Sequence, residues 1–319
     1  MGYRIGIEIG KEKTYGAIIE DETKIVCKES IDINIPITLK EMEKKIGELI
    51  DSLLDSANIG SEEIEFVGIA CPGIVDSREK IAKYVGNFGW KDEALSDFLE
   101  KKLGKPIYID NDANMAAIGE YVYSDLQDIK NMIFLIVDGG IGAGLILNGK
   151  LYTGINYGAG EAGTMIIKKG GRHCSCGNRG CFGSYASATG ITITGFELMT
   201  KYEDSLIRKY LKENGELTAN AIFDAARQED RAAIETVDIF IEDLAVGVAN
   251  LVNMFQPEIV VIGGVVSQSG DLFIDRLKEL VKELDYAKNS DIRCDITISK
   301  LGKDAGLIGA VNIDKFINK

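Results

Sequence analysis

The sequence predicts a two-domain α/β protein with two halves built on one plan and a ligand cleft between them. Three observations carry this. A strand, a glycine turn and a second strand begin at Tyr3 (YRIGIEI, a turn at 10–13, TYGAIIE) and begin again at Asn131 (NMIFLIVD, GGIGAG, LILNG). A duplicated unit commonly holds its ligand between the copies. Strands and helices alternate along the chain, the pattern of a layered α/β fold. Finally, 319 residues and 34.7 kDa exceed what one compact core usually accommodates.

The elements follow from periodicity. After the first two strands, TKIVCKE reads as a third. Residues 38–57 place Leu39, Met42, Ile46, Leu49, Ile50, Leu53 and Leu54 at helical spacing. EFVGIACPG reads as a buried strand entering a loop, KPIYIDND as a strand, and ANMAAIGEYVYS as a helix. KLYTG reads as a short strand. The polar run from Lys201 to Asp230 reads as solvated helices, DIFIEDLAVGVANLVNMFQ as a long helix, PEIVVIGGVVS as a strand into a glycine turn, and AGLIGAVNIDKFINK as a closing helix.

Composition narrows the function. With 36 Lys and Arg against 50 Asp and Glu, the net charge is -14. A phosphate-backbone footprint needs surplus cations, so neither nucleic acid nor an anionic membrane is expected as a partner. No helix-turn-helix pattern precedes the first strand. The opening MGYRIGIEIG has no basic n-region or cleavage site, and no window approaches a membrane helix. A cytoplasmic location is expected, with Cys27, Cys71 and Cys294 as reduced thiols among apolar neighbours.

The other three cysteines are crowded into CSCGNRGC, as Cys174, Cys176 and Cys181, directly after the only histidine, His173. Such spacing suits a metal site better than a disulfide framework in a reducing compartment. Upstream, Asp110, Asn111 and Asp112 precede an apolar helix. Taken alone they read most simply as helix caps.

Together, CSCGNRGC, IDNDANMAAIGE (109–120), CPGIVD (71–76), NFGW (87–90), GAGEAG (158–163), PEIVVIGG (257–264) and LGKDAGLIGA (301–310) resemble, in order and spacing, the ROK family of repressors, open reading frames and sugar kinases. The resemblance covers nearly the whole chain. It implies the duplicated actin-like/ribonuclease H-like fold, with a domain of residues 1–115 plus 304–319 and a larger one of 116–303. It implies ATP and Mg²⁺ as cofactors, a small-molecule sugar as partner and a homodimer. In that family Asp112 would be the general base that takes the sugar hydroxyl proton. Asn111, Glu161 and Asn87 would bind the sugar. Gly10, Lys13, Gly139, Gly140, Gly142, Gly263 and Gly264 would line the nucleotide. Cys174, Cys176 and Cys181 would be zinc thiolates.

The chain also departs from the family pattern. Thr164 stands where the family has its fourth zinc ligand, a histidine. His173, a water, or no zinc at all are the alternatives. Gly183 stands where a sugar-binding glutamate is usual, so plain glucose is expected to bind poorly. Glu8 replaces an aspartate, and Glu12 and Asp138 put acids where the phosphate turns are ordinarily uncharged. Two readings follow: an ATP-dependent sugar kinase of altered specificity, or a non-catalytic relative that binds a sugar or a partner.

Overall fold

A computed structural model describes residues 2–124, 126 and 128–317. The β-branched opening run forms β1 (Tyr3–Ile9), with Ile5, Ile7 and Ile9 buried. A hairpin leads to β2 (Lys13–Glu20), and a turn through Asp21 and Glu22, both with positive φ, leads to β3 (Lys24–Asp32). Then α1 (Leu39–Ala57) begins with a reciprocal box, Thr38 Oγ1 accepting from the Glu41 amide and the Glu41 carboxylate accepting from the Thr38 amide. It stops at Asn58 in the left-handed region and returns to β4 (Ile64–Cys71).

Next come β5 (Ile74–Asp76), β6 (Ile81–Val85), β7 (Trp90–Ala94), α2 (Asp97–Leu103), β8 (Ile107–Asn111) and α3 (Asp112–Tyr123). The first sheet has the order β3-β2-β1-β4-β8. Its β1–β2 and β2–β3 pairs are antiparallel, and its β1–β4 and β4–β8 pairs are parallel. Strands β5 to β7 make a separate antiparallel sheet where the sequence suggested only a loop. These strands are three to five residues long, too short to show a period.

The second half contains β9 (Met132–Val137), β10 (Ile141–Leu147), β11 (Lys150–Leu151), α4 (Gly183–Ala186), α5 (Ala188–Met199), α6 (Leu206–Asn214), α7 (Ala219–Arg227), α8 (Arg231–Phe255), β12 (Ile259–Gly263), α9 (Ile274–Leu284), β13 (Asp295–Ile298), α10 (Ala305–Ala310) and α11 (Asp314–Ile317). Its sheet order, β11-β10-β9-β12-β13, repeats the first sheet position for position. The duplication seen in the sequence is therefore a duplication of topology. KLYTG contributes only two residues of strand. The closing segment is two short helices instead of one, and Asn318 and Lys319 of that expected helix lie outside the described residues.

The chain forms two compact units. One comprises residues 1–130, 144–160 and 303–319, the other 131–143 and 161–302. These bounds differ from the division at 115 expected from sequence. The physical reason is α3, whose Gly119 lies so close to α10 that an added Cβ would run into the Ala305 carbonyl oxygen. That contact keeps the whole of α3 with the first sheet. The core of the first unit gathers Ile5, Ile7, Ile18, Met42, Ile46, Ile50 and Ile69 between β1, β2, β4 and α1. In the second unit Phe223, Phe240 and Phe273 pack with ring centroids 5.5 to 6.3 Å apart.

Candidate functional site

In the first unit, β8 ends at Asn111 and α3 begins at Asp112. Asn111 is extended, with φ -60° and ψ 145°, and caps the helix: its Oδ1 accepts from the amides of Ala113 (2.9 Å) and Asn114 (3.1 Å). Its Nδ2 donates to the Gly73 carbonyl (2.9 Å) and to Asp112 Oδ1 (2.9 Å), which also accepts from the Ala113 amide at 2.9 Å. The capping reading of the Asp-Asn-Asp run is thus correct for Asn111, whose amide group also steers the Asp112 carboxylate. Cys71, buried at the end of β4, has its thiol pushed up by burial and further by the Asp112 charge.

Asp110 lies behind this cap and is 1% exposed. Its Oδ1 accepts from the Asn111 amide (2.6 Å) and from Asn114 Nδ2 (2.7 Å). Burial raises its carboxyl to about 6 from the ordinary 3.8, against the bonds from Asn114, Asn111 and Ser77 that favour the charge. The folded state therefore holds this proton more tightly than the unfolded chain. Stability linked to Asp110 is full below about 3.8 and is lost as pH rises through about 6. We predict that Asp110→Asn, which keeps an Oδ1 acceptor, gains on the parent by up to about 3 kcal/mol across that window. Urea unfolding at several pH values measures it, and a pH-independent difference would refute the assignment.

Asn87 is exposed in the β6–β7 turn, where the Phe88 and Gly89 amides both return to the Val85 carbonyl. At the first glycine turn, Gly10 donates to the Lys13 carbonyl at 3.0 Å, and an added Cβ would stand 2.5 Å from that oxygen. Lys13 Nζ lies 3.4 Å from Asp32 Oδ1, with both groups half-exposed or more, a pair of little energetic weight. Glu12 is exposed. Glu8 packs its carboxylate against Gly306, where a Cβ would stand 2.7 Å from Oε2.

The second unit carries the other glycine turn. Gly139 and Gly140 are exposed, and Gly140 has no atom within 4 Å of where a Cβ would stand. Gly142 lies within β10. The Asp138 carboxylate accepts from the Val265 amide, which opens the tight turn after β12. This acid is therefore tied to the protein's own backbone, a partner 127 positions away that no local sequence pattern could reveal. Gly264 has φ 83°, and a Cβ there would meet the Val137 carbonyl at 2.6 Å. A Cβ on Gly263 would run into the Phe134 ring, so packing on β9 already requires that glycine.

Glu161 precedes the turn Ala162–Thr164. Its side chain reaches solvent, yet the protein surrounding it raises its carboxyl by burial. Thr164 donates its hydroxyl to the Glu161 carbonyl at 2.8 Å. Gly183, the other altered position, sits on the same turn, with room for a Cβ at 3.4 Å from the Gly163 carbonyl oxygen.

The cysteine loop meets the metal expectation in part. The sulfurs of Cys174, Cys176 and Cys181 lie within 4.8 Å of one another, and Cys176 and Cys181 are 3.6 Å apart. Zinc–sulfur bonds of about 2.3 Å in a tetrahedron require sulfurs about 3.8 Å apart, so this donor set fits zinc. Burial works to raise the Cys174 thiol, but hydrogen bonds from the Cys176 amide, both neighbouring thiols and Ser184 bring it down to about 7. Burial, then Cys174 and Cys176, push Cys181 up to about 12. His173 is not brought into the group. Its Nε2 accepts from the Arg179 guanidinium at 2.6 Å, and the two residues form a backbone bridge.

Comparison with known proteins follows the same lines. The chain is 33% identical to a glucokinase of Thermotoga maritima, over 98% of this chain and 96% of that one. It is 32% identical to a putative xylose repressor of a Caldicellulosiruptor species, over 98% of this chain and 77% of the repressor. Among solved structures, a ROK family glucokinase from Streptomyces griseus, in complex with glucose and AMPPNP, superimposes with a TM-score of 0.83 at 27% identity, over 98% of this chain and 99% of that one. The fold is accordingly the actin-like/ribonuclease H-like fold of the ROK sugar kinases. The model described as "ROK family" matches residues 4–315, and a match of that extent, joined to these identities, means that the chain belongs to the ROK family.

Proposed function

We propose that this protein transfers the γ-phosphoryl group of ATP to a sugar hydroxyl, with Asp112 as general base. The observation that carries the reading is the Asp112 carboxylate, aimed by Asn111 Nδ2 and the Ala113 amide at the start of α3. A fixed carboxylate suits phosphoryl transfer, which depends mainly on positioning and charge management. It takes the proton as the hydroxyl oxygen attacks phosphorus. Relatives that are glucokinases by name, and one solved with glucose and AMPPNP, support the reaction class.

Asn111 acts first by holding Asp112, because its amide oxygen is committed to the helix cap. Gly139 and Gly140 are exposed, and the open space above Gly140 leaves this turn's backbone accessible to phosphate oxygens. Mg²⁺, when bound with ATP, neutralises phosphate charge, and Glu8 is the residue that would approach it. Glu161 is the proposed sugar ligand. Thr164 and Gly183 replace larger polar groups of the family beside it, which favours a sugar other than plain glucose, one with a bulkier substituent.

A second reading, sugar binding without transfer, is favoured by Glu12, an exposed acid in the first phosphate turn. The test separates them. Protein, Mg-ATP and a panel of hexoses, amino sugars and glycosides are mixed and ADP release is followed. Sugar-dependent release supports the kinase. Sugar binding by calorimetry, with neither ADP release nor Mg-ATP binding, supports the second reading and ends the first.

A further inference from the structure

The cysteine cluster offers three thiols, and the residues that the sequence suggests for the fourth place are bonded elsewhere. His173 Nε2 is bonded to the Arg179 guanidinium, with the two backbones bridged. The Thr164 hydroxyl donates to the Glu161 carbonyl. Ser184 Oγ lies 3.3 Å from the His173 carbonyl and also bonds the Cys174 thiol, so it supports that cysteine. Among the described residues, the metal-ligating group consists of Cys174, Cys176 and Cys181 and nothing else.

The thiols are held in place by backbone. Cys174 donates its amide to the Asn178 carbonyl (3.0 Å), Gly177 to Cys174 (3.0 Å) and Gly180 to Arg172 (2.7 Å). Gly177 and Gly180 have φ of 91° and 85°, and a Cβ on Gly180 would run into the Lys168 carbonyl. The loop therefore presents its sulfurs in fixed positions. Cys181 is buried and Cys176 exposed, so the cluster faces solvent on the Cys176 side. Arg172 and Arg179 are both tied into the same loop, by bonds to the Ser184 and Gly171 carbonyls.

We propose that zinc bound by Cys174, Cys176 and Cys181 keeps its fourth position open to solvent, where it accepts a small-molecule thiolate or imidazole donor. Four protein ligands make a closed structural site, whereas three leave an exchangeable position. Sulfur and imidazole nitrogen are the donors that suit such a metal. Each cysteine releases its proton to solvent as its sulfur–metal bond forms, and an incoming thiol does the same. The inference rests on the cluster's fit to zinc and is independent of sugar phosphorylation.

The test uses the full chain, reduced with a phosphine, loaded with one equivalent of Co²⁺ as a spectroscopic substitute for zinc. The expected result is a tetrahedral thiolate–cobalt spectrum that shifts saturably with 2-mercaptoethanol and with imidazole. It should be unchanged in His173→Ala. Cys176→Ser should weaken metal binding at least about tenfold. A spectrum indifferent to both additives, or altered in His173→Ala, shows a closed site and overturns the proposal. Failure to bind one equivalent of Co²⁺ or Zn²⁺ overturns the zinc reading itself, and the proposal with it.

Discussion

Asp112→Asn lowers kcat for sugar-dependent ADP release by roughly 10²- to 10⁴-fold, the usual contribution of a positioned general base. The substitution is nearly isosteric. Asn keeps an Oδ1 that can accept from the Ala113 amide and from Asn111 Nδ2, the two bonds that orient the aspartate. The start of α3 should therefore survive, and thermal unfolding should match the parent. What is lost is the ability to take a proton in the transition state, so the loss should appear in kcat with the sugar KM little changed. Turnover within a factor of ten of the parent would remove Asp112 from the chemistry. A loss confined to KM would make it a sugar ligand instead.

Gly309→Ala destabilises the protein by about 3 kcal/mol, the upper range for overpacking a well-filled interior. A Cβ at Gly309 would be driven into the Met115 carbonyl oxygen, backbone against backbone, with no flexible side chain to yield. The same helix, α10, lies close to β1 at Gly6 and β4 at Gly68, where a Cβ would strike the carbonyls of Leu307 and Ala310. So α10 cannot retreat from α3 without lifting off the sheet. Gly140→Ala is the control. Nothing lies within 4 Å of its Cβ position, and its stability effect should stay within about 0.5 kcal/mol. Urea midpoints of the two variants measure the contrast, and equal midpoints would show that α10 can shift to make room.

Much of this architecture was legible in the sequence, because hydrophobic period and glycine turns are local signals. The strands from Tyr3 and from Asn131, the capped helix at 39–57 and the long helix ending at Phe255 all follow from them. The β5–β7 sheet was not, its strands being too brief to show alternation. Nor was α5, whose ITIT run is β-branched and becomes helical through burial of Ile191, Thr194 and Leu198. At the site, residue types and order pointed to Asp112 and the three cysteines. The partners that define their behaviour lie far along the chain: Gly73 for Asn111, Val265 for Asp138. An acid that reads as repulsive to phosphate thus proves to be a cap. His173 shows the reverse case, since its place beside Cys174 suggested a ligand and the fold gives it to Arg179.

The placement of α10 also bears on how the chain is made. The first sheet and α3 leave the ribosome before the second unit, but the helix that packs against both follows that unit in the chain. Until it emerges, Gly6, Gly68 and Gly119 expose a bare backbone seam with nothing to fill it. The first unit therefore completes its folding only once the second unit has been translated. A nascent chain stalled before Ala305 would present that seam to chaperones, and a fragment ending at Lys130 would carry it permanently.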